Sequence, residues 1–195
     1  MAFPNTWYSR LKPAGEFGNM PEITNEVNLM LDPSKADPNT PHPEKFGVND
    51  VTDLSWKNIL DAYSCTECGR CTSACPANIT GKKLSPRKVM MDTRDRAEEL
   101  GKAKDKNGTD YHDGKSLHDL ISQEELLACT TCNACVESCP ININPVEIIF
   151  GMRQYQTLEK SAMPSEWAMM NNNIENNQAP WQFSPTDRAN WSKEI

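Results

Sequence analysis

All eight cysteines of this 195-residue chain fall in two runs of identical spacing. The first is Cys65, Cys68, Cys71 and Cys75, followed by Pro76; the second is Cys129, Cys132, Cys135 and Cys139, followed by Pro140. Both read C-x2-C-x2-C-x3-C-P, the spacing that holds iron–sulfur cubanes, and two runs imply two [4Fe–4S] clusters. Three thiolates at intervals of three wrap a tight turn of backbone around one face of a cube and reach three irons. The fourth lies too far along to close the same cube, and in two-cluster proteins it ligates the other cluster. The expected sets are therefore Cys65, Cys68, Cys71 and Cys139 for cluster 1, and Cys129, Cys132, Cys135 and Cys75 for cluster 2. Ligation of Cys75 and Cys139 within their own runs is the alternative. A Cys75→Ser variant separates the two, because the exchanged arrangement predicts loss of the second cluster before the first.

Pro76 and Pro140 fix the backbone where each run leaves its cluster. Gly69, Thr72, Ser73, Ala74, Thr130, Thr131, Ala134 and Ser138 are small, which lets backbone N–H groups approach the sulfides and tune the potential. Two four-cysteine zinc sites would show paired C-x2-C units separated by a longer gap. A disulfide framework suits short secreted chains, and no secretory signal is present to support one. Asn78-Ile79-Thr80 matches a glycosylation acceptor, but its place between cluster ligands makes that match spurious.

Composition narrows the class further. The chain carries 14 prolines and a mean hydropathy of −0.67, so the core is small and the clusters act as its internal staples. No apolar run reaches the length of a membrane span. A net charge of −7 argues against a nucleic-acid partner. Cluster-bearing reduced thiolates point to the cytoplasm, or to the cytoplasmic face of a membrane through a partner or a missing N-terminal segment. Charge is uneven: from Lys82 to Lys106 the bases Lys82, Lys83, Arg87, Lys88, Arg94, Arg96, Lys102, Lys104 and Lys106 outnumber the acids. Such a run reads either as a solvated face or as a docking patch for an acidic partner or a membrane surface.

Helices must position the runs. Residues 1–50 are broken by prolines and read as an extended N-terminal arm anchored by Trp7, Tyr8 and Phe17, with one short helix from Glu22 to Leu31. Asp53 is an N-cap for a helix to about Ala62 that delivers the first run. Ser85-Pro86 starts the next helix, with Val89, Met90, Ala97 and Leu100 inward and Gly101 as its stop. After a polar loop, the Ser122/Glu125 capping box starts a helix over Gln123–Ala128, with Ile121 stapled to Leu126. Asn144-Pro145 with Glu147 starts a helix to about Lys160. The chain thus repeats helix, cysteine run, short loop, proline-started helix. The domains expected are the arm over 1–50, a two-cluster domain over 51–162, and a C-terminal tail over 163–195. That tail has a short helix capped by Ser165 and an aromatic latch of Trp181, Phe183 and Trp191. The fold class is mainly α, with helices where compact ferredoxins carry β-hairpins.

At the cysteine runs and their flanking helices the chain resembles the C-type iron–sulfur subunit of heterodisulfide reductase and its bacterial relatives. The resemblance is carried by Asp61-Ala62-Tyr63-Ser64-Cys65-Thr66-Glu67-Cys68-Gly69-Arg70-Cys71 and by Lys82-Lys83-Leu84-Ser85-Pro86-Arg87-Lys88. It extends to Asn173-Ile174-Glu175-Asn176-Asn177, Pro180-Trp181 and Asp187-Arg188-Ala189-Asn190-Trp191. The same α-helical ferredoxin module occurs in the iron–sulfur subunits of succinate dehydrogenase, fumarate reductase and glycolate oxidase. Those relatives often carry a membrane cytochrome-like segment before this domain. A cysteine-rich CCG domain, resembling the B-type subunit of the same reductase, follows it or lies in a neighbouring chain. The opening Met1-Ala2-Phe3-Pro4 reads as a start just after a last membrane helix, so the chain is expected to be an excised domain. The partners implied are a CCG-domain protein of that B type and a membrane cytochrome or quinone-linked unit, with an electron-transferring flavoprotein or a dehydrogenase as a more distant source.

The function these residues support is an electron-transfer module within an oxidoreductase complex. The alternative is a structural, partner-docking module stapled by its clusters. Catalysis by the chain alone finds no support in the residues: eight cysteines leave two cubanes no open iron, and His42, His112 and His118 lie away from both runs. Glu67 and Glu137, inside the runs, read as solvated carboxylates that lower cluster potential.

Overall fold

The computed structural model describes residues 20–35, 37, 39, 44–184 and 186–193; the proposed anchors Trp7, Tyr8 and Phe17 and the histidine His42 lie outside them. Among the described residues every regular element is a helix and none is a strand. The chain divides into two units, Met1–Glu159 and Lys160–Ile195.

The first unit opens with α1, Pro21–Leu31, which buries none of its residues; Met30 and Leu31 are exposed. The helix before the first run, α2 (Trp56–Ser64), starts two residues later than the expected N-cap at Asp53 predicts. The Asp53 carboxylate is already committed to a short 3-10 turn, Val51–Asp53, accepting the N–H of Asn49 at 2.8 Å and of Asp50 at 3.1 Å. Ser55 caps α2 instead, in a reciprocal box with Asn58. The first run then contains one short helix, α3 (Arg70–Ser73), and is followed by another, α4 (Pro76–Ile79).

The proline-started helix α5 spans Pro86–Asn107 and does not stop at Gly101. Gly101 faces open space, and the good helix formers beyond it extend the helix with a Lys102–Glu98 pair at 3.1 Å. The stop is Gly108, at φ 101°, whose N–H closes on the Lys104 carbonyl at 2.8 Å. The expected capping box at Ser122 and Glu125 forms and starts α6, Gln123–Ala128. The second run contains one short helix, α7 (Ala134–Glu137), and is followed by α8, Pro145–Gln154, whose first turn is capped by the Asn144 side chain. A π-helical turn over Tyr155–Glu159 ends this unit. Val89, Met90, Leu126, Ile148, Ile149 and Met152 form the heart of a core shared by both repeats.

Buried ionic and backbone ties brace this core. Arg96, 1% exposed, donates to Asp50 at 2.6 and 3.0 Å and to Asp113 at 2.5 and 2.8 Å. It thereby joins the approach to the first run to the loop before the second. The approach is also pressed onto α8: Val48 N–H donates to the Gly151 carbonyl at 2.8 Å. A Cβ on Gly47, at φ 77°, would stand 2.4 Å from that carbonyl oxygen, so only glycine fits the position.

In the second unit α9 spans Ser165–Asn177, with Pro164 rather than Ser165 as its N-cap. Its asparagines are held by backbone partners: Asn173 is buried and donates to the Pro180 carbonyl at 3.2 Å, and Asn176 donates to the Asn172 carbonyl at 2.9 Å. Trp181, Phe183 and Trp191 are all exposed. No helix among the described residues is long and apolar enough to cross a membrane.

Candidate iron–sulfur centre

The two runs share one backbone conformation. Cys65 ends α2 and Cys129 ends α6, both in extended geometry, φ −64° and −72°. Two and four residues later the chain turns left-handed in each: Glu67 (φ 58°) and Gly69 (φ 80°) in the first, Thr131 (φ 54°) and Asn133 (φ 61°) in the second. Such conformations cost energy for any residue but glycine, so their recurrence at matching positions marks a backbone shaped for a purpose. Alternating hands of this kind turn successive amides toward one concave side, where they can donate to an anionic group. Thr131 N–H meets Cys129 Sγ at 3.4 Å and Ile143 N–H meets Cys139 Sγ at 3.4 Å.

The thiols gather across the runs. Cys65, Cys68, Cys71 and Cys139 line one cavity, together with Cys135, Met90, Ile141 and Pro145. Cys139 acts electrostatically on Cys65 and Cys71, and Cys75 acts on Cys129 and Cys135. The fourth cysteine of each run therefore stands with the first and third of the other. α3 packs on α7, and Cys71 sits against the small cluster of Cys135, Val136 and Val146 at the junction.

Cys75 and Cys135 are buried, Cys68 and Cys132 exposed, and all eight thiols are free. Burial pushes the thiols of Cys65, Cys71 and Cys129 above their ordinary pKa, and that of Cys135 up to about 12. Thiolate ligation here therefore needs the positive charge of bound iron. Among the described residues no three Cys, His, Asp or Glu side chains close to the spacing of a single ion's ligands. Four thiols around one cavity, with inward-turned amides and small neighbours, fit a cubane rather than one zinc ion.

Arginines whose partners the sequence does not reveal hold this frame. Arg153, eight residues after Pro145, donates to the Leu126 carbonyl at 2.8 Å and the Cys129 carbonyl at 2.5 Å, closing the end of α6 where the second run begins. Arg94, eight residues after Pro86, donates to Glu67 at 2.6 Å and so braces the left-handed turn of the first run. Glu67 is thus an ion-paired brace rather than the solvated carboxylate expected. Two buried carboxylates, each four residues before a run, reach across: Asp61 accepts the Asn144 N–H at 3.3 Å, and Glu125 pairs with Lys88 at 3.1 Å. The signal was available in the repeat itself: Arg94 and Arg153 align when Pro86 and Pro145 are superposed, and Asp61 and Glu125 align when Cys65 and Cys129 are. His118 lies against the Val48 carbonyl and Gln156, each at 3.2 Å, and His112 is exposed.

Residues 64–143 match the 4Fe-4S dicluster domain, and the eight cysteines in two runs within it support two [4Fe–4S] clusters. Among curated proteins it is 30% identical to the "Probable iron-sulfur-binding oxidoreductase FadF" of Bacillus subtilis, over 97% of this chain and 29% of that one. It is 32% identical to the "EtfAB:quinone oxidoreductase" of Syntrophomonas wolfei, over 80% of this chain and 25% of that one. It is also 30% identical to the C-type subunit of the ferredoxin/F420H2-dependent CoB-CoM heterodisulfide reductase of Methanosarcina acetivorans, over 54% of this chain and 52% of that one. The chain spans less than a third of the first two relatives and about half of the third.

Proposed function

We propose that this chain is an electron-transfer module of an oxidoreductase complex, passing single electrons between two [4Fe–4S] clusters and on to a partner. The observation that supports the reading is that the fourth cysteine of each run stands near the first and third of the other, where α3 packs on α7. Cys65, Cys68, Cys71 and Cys139 hold cluster 1, and Cys129, Cys132, Cys135 and Cys75 hold cluster 2. When bound, the clusters supply reversible one-electron storage, a chemistry no side chain here offers. The residues do the rest. The cysteines anchor the irons, the amides of the left-handed turns donate toward sulfur, and the shared core excludes water from Cys75 and Cys135.

Two relatives carry names that link them to electron-transferring flavoprotein, quinone or ferredoxin. Those names support a larger redox assembly; on the chain's resemblance to heterodisulfide reductase subunits, its members would be a CCG-domain protein on one side and a quinone- or haem-linked membrane unit on the other, at the cytoplasmic face. The two-cluster domain begins near residue 51 and ends near residue 162, with the remainder serving attachment.

Iron and sulfide content of anaerobically purified protein, with EPR of the dithionite-reduced sample, tests the reading. About eight irons per chain and two interacting reduced signals are expected for two cubanes. Clusters that resist reversible reduction would leave a metal-stapled docking module.

A further inference from the structure

The basic stretch from Lys82 to Lys106 is largely neutralised from within. Lys83 pairs with Glu124, Lys88 with Asp92 and Glu125, Arg94 with Glu67 and Asp95, Arg96 with Asp50 and Asp113, and Lys102 with Glu98. Of the remaining bases, Arg87 stands apart. It is exposed, and with Arg70 it lines the cavity that carries Cys65, Cys68, Cys71 and Cys139. Among the described residues, no side chain forms an ion pair with either guanidinium.

Arg87 is also misplaced for local stability. It lies in the first turn of α5, a 22-residue helix with no acid in that turn, where the helix dipole disfavours a cation. The second repeat provides a control within the same molecule. The positions matching Arg70 and Arg87 are Ala134 and Val146, and Val146 is buried beside Cys135. Neither the fold nor the cysteine frame therefore requires arginine here. In a protein of net charge −7, two cations flank the site whose ligand Cys68 is exposed.

We propose that this Arg70–Arg87 face is the docking surface for an acidic redox protein, and that electrons cross between partner and chain through the Cys65–Cys68–Cys71–Cys139 site. The proposal rests on the electron-transfer reading above. Charge complementarity steers the partner and fixes its orientation over the exposed edge. One electron moves per encounter, with no proton or bond exchanged. The second site, with no base at the matching positions, serves the route inside the assembly.

The test uses the full chain with its clusters, as wild type, R70E/R87E and the control K104E/K106E. Binding of a fluorescein-labelled deca-glutamate peptide is followed by fluorescence anisotropy at low ionic strength. R70E/R87E is expected to bind about tenfold more weakly, since two attractions become repulsions, while K104E/K106E binds like wild type. Reoxidation of the dithionite-reduced protein by ferricyanide provides the second readout, each ferricyanide taking one electron to become ferrocyanide. Its rate is expected to fall as salt rises in wild type and to rise with salt in R70E/R87E. Equal weakening by both variants would overturn the proposal, as would a wild-type rate that rises with salt as the net charge of −7 dictates. Loss of binding to anionic phospholipid vesicles in R70E/R87E, without loss of peptide binding, would overturn it in favour of a lipid surface. Failure to reduce the clusters would instead sink the electron-transfer reading and leave the peptide result intact.

Discussion

The first and second cysteine runs adopt the same backbone through different residues. At the left-handed positions the first run uses Glu67 and Gly69, the second Thr131 and Asn133. The first run ties its short helix to the following one by a Thr72–Ser85 hydroxyl contact at 2.9 Å, whereas the second does so by apolar packing of Val136 and Val146. The first is braced from outside by Arg94 on a half-exposed Glu67, the second from beneath by Arg153 on backbone carbonyls. Ligand geometry therefore depends on backbone hand and thiol spacing. The side chains between the thiols remain free to set charge and access. Each site has one exposed cysteine, Cys68 or Cys132, but only the first carries bases at the Arg70 and Arg87 positions, which the second fills with Ala134 and the buried Val146.

The largest effect is expected where the two repeats depend on each other. Cys75→Ser should remove the second cluster while the first survives, leaving about four irons of eight, with Cys139→Ser giving the converse. Ligation within each run predicts the opposite assignment, and the EPR signal remaining in each variant decides between them.

Next come the two bracing arginines. Arg153→Gln should cost about 2–3 kcal/mol, because it strips donors from the Leu126 and Cys129 carbonyls. Arg94→Gln, which breaks a partly exposed pair, should cost under about 1 kcal/mol. Denaturant unfolding of both variants measures the gap, and equal costs would erase the distinction between outer and inner brace.

A smaller effect is expected from acid at the ionic clasp that joins the approaches to the two runs. The Arg96 guanidinium holds the Asp113 carboxyl well below the usual carboxylate range. Its contribution is complete above the ordinary aspartate pKa of about 4 and declines as pH falls below it. Asp113→Asn should lower the melting temperature by a constant amount from pH 7 to about pH 5, a difference that shrinks below about pH 4.

The smallest change should be a gain. Thr131 is a β-branched residue held at φ 54°, where the first repeat's Glu67 is unbranched. Thr131→Gly should stabilise the protein by about 0.5–1 kcal/mol, measured by the same unfolding, and leave both EPR signals unchanged.

Much of this was legible in the residues. The cysteine spacing pointed to the clusters, and the proline-started helices declared themselves through Ser85 and Asn144 as caps. The errors have local causes. Gly101 reads as a stop because glycine favours the position just past a helix end, yet α5 has charged helix formers on both sides of it and ends where Gly108 adopts a left-handed φ. Asp53 was read as a cap because aspartate favours that role, but its carboxylate serves the preceding 3-10 turn. Arg94 and Arg96 fall in a run that reads as a solvated face or a docking patch, and nothing in the sequence singles out Arg153, because sequence shows a base without the distant acid or carbonyl that meets it. The partners that tie these arginines across the fold, Glu67, Asp50, Asp113 and Leu126, lie 17 to 46 residues away along the chain.

The contact between Gly47 and Gly151 bears on where this protein can be cut. Val48, Asn49 and Asp50 lie before the first helix of the cysteine frame, yet they bond to α8, to Leu117 and to Arg96. A fragment trimmed to begin at Asp53 would keep every thiol and lose this lacing. One beginning at Lys45 would retain it, and a protease attacking the native protein should spare the lacing for the same reason.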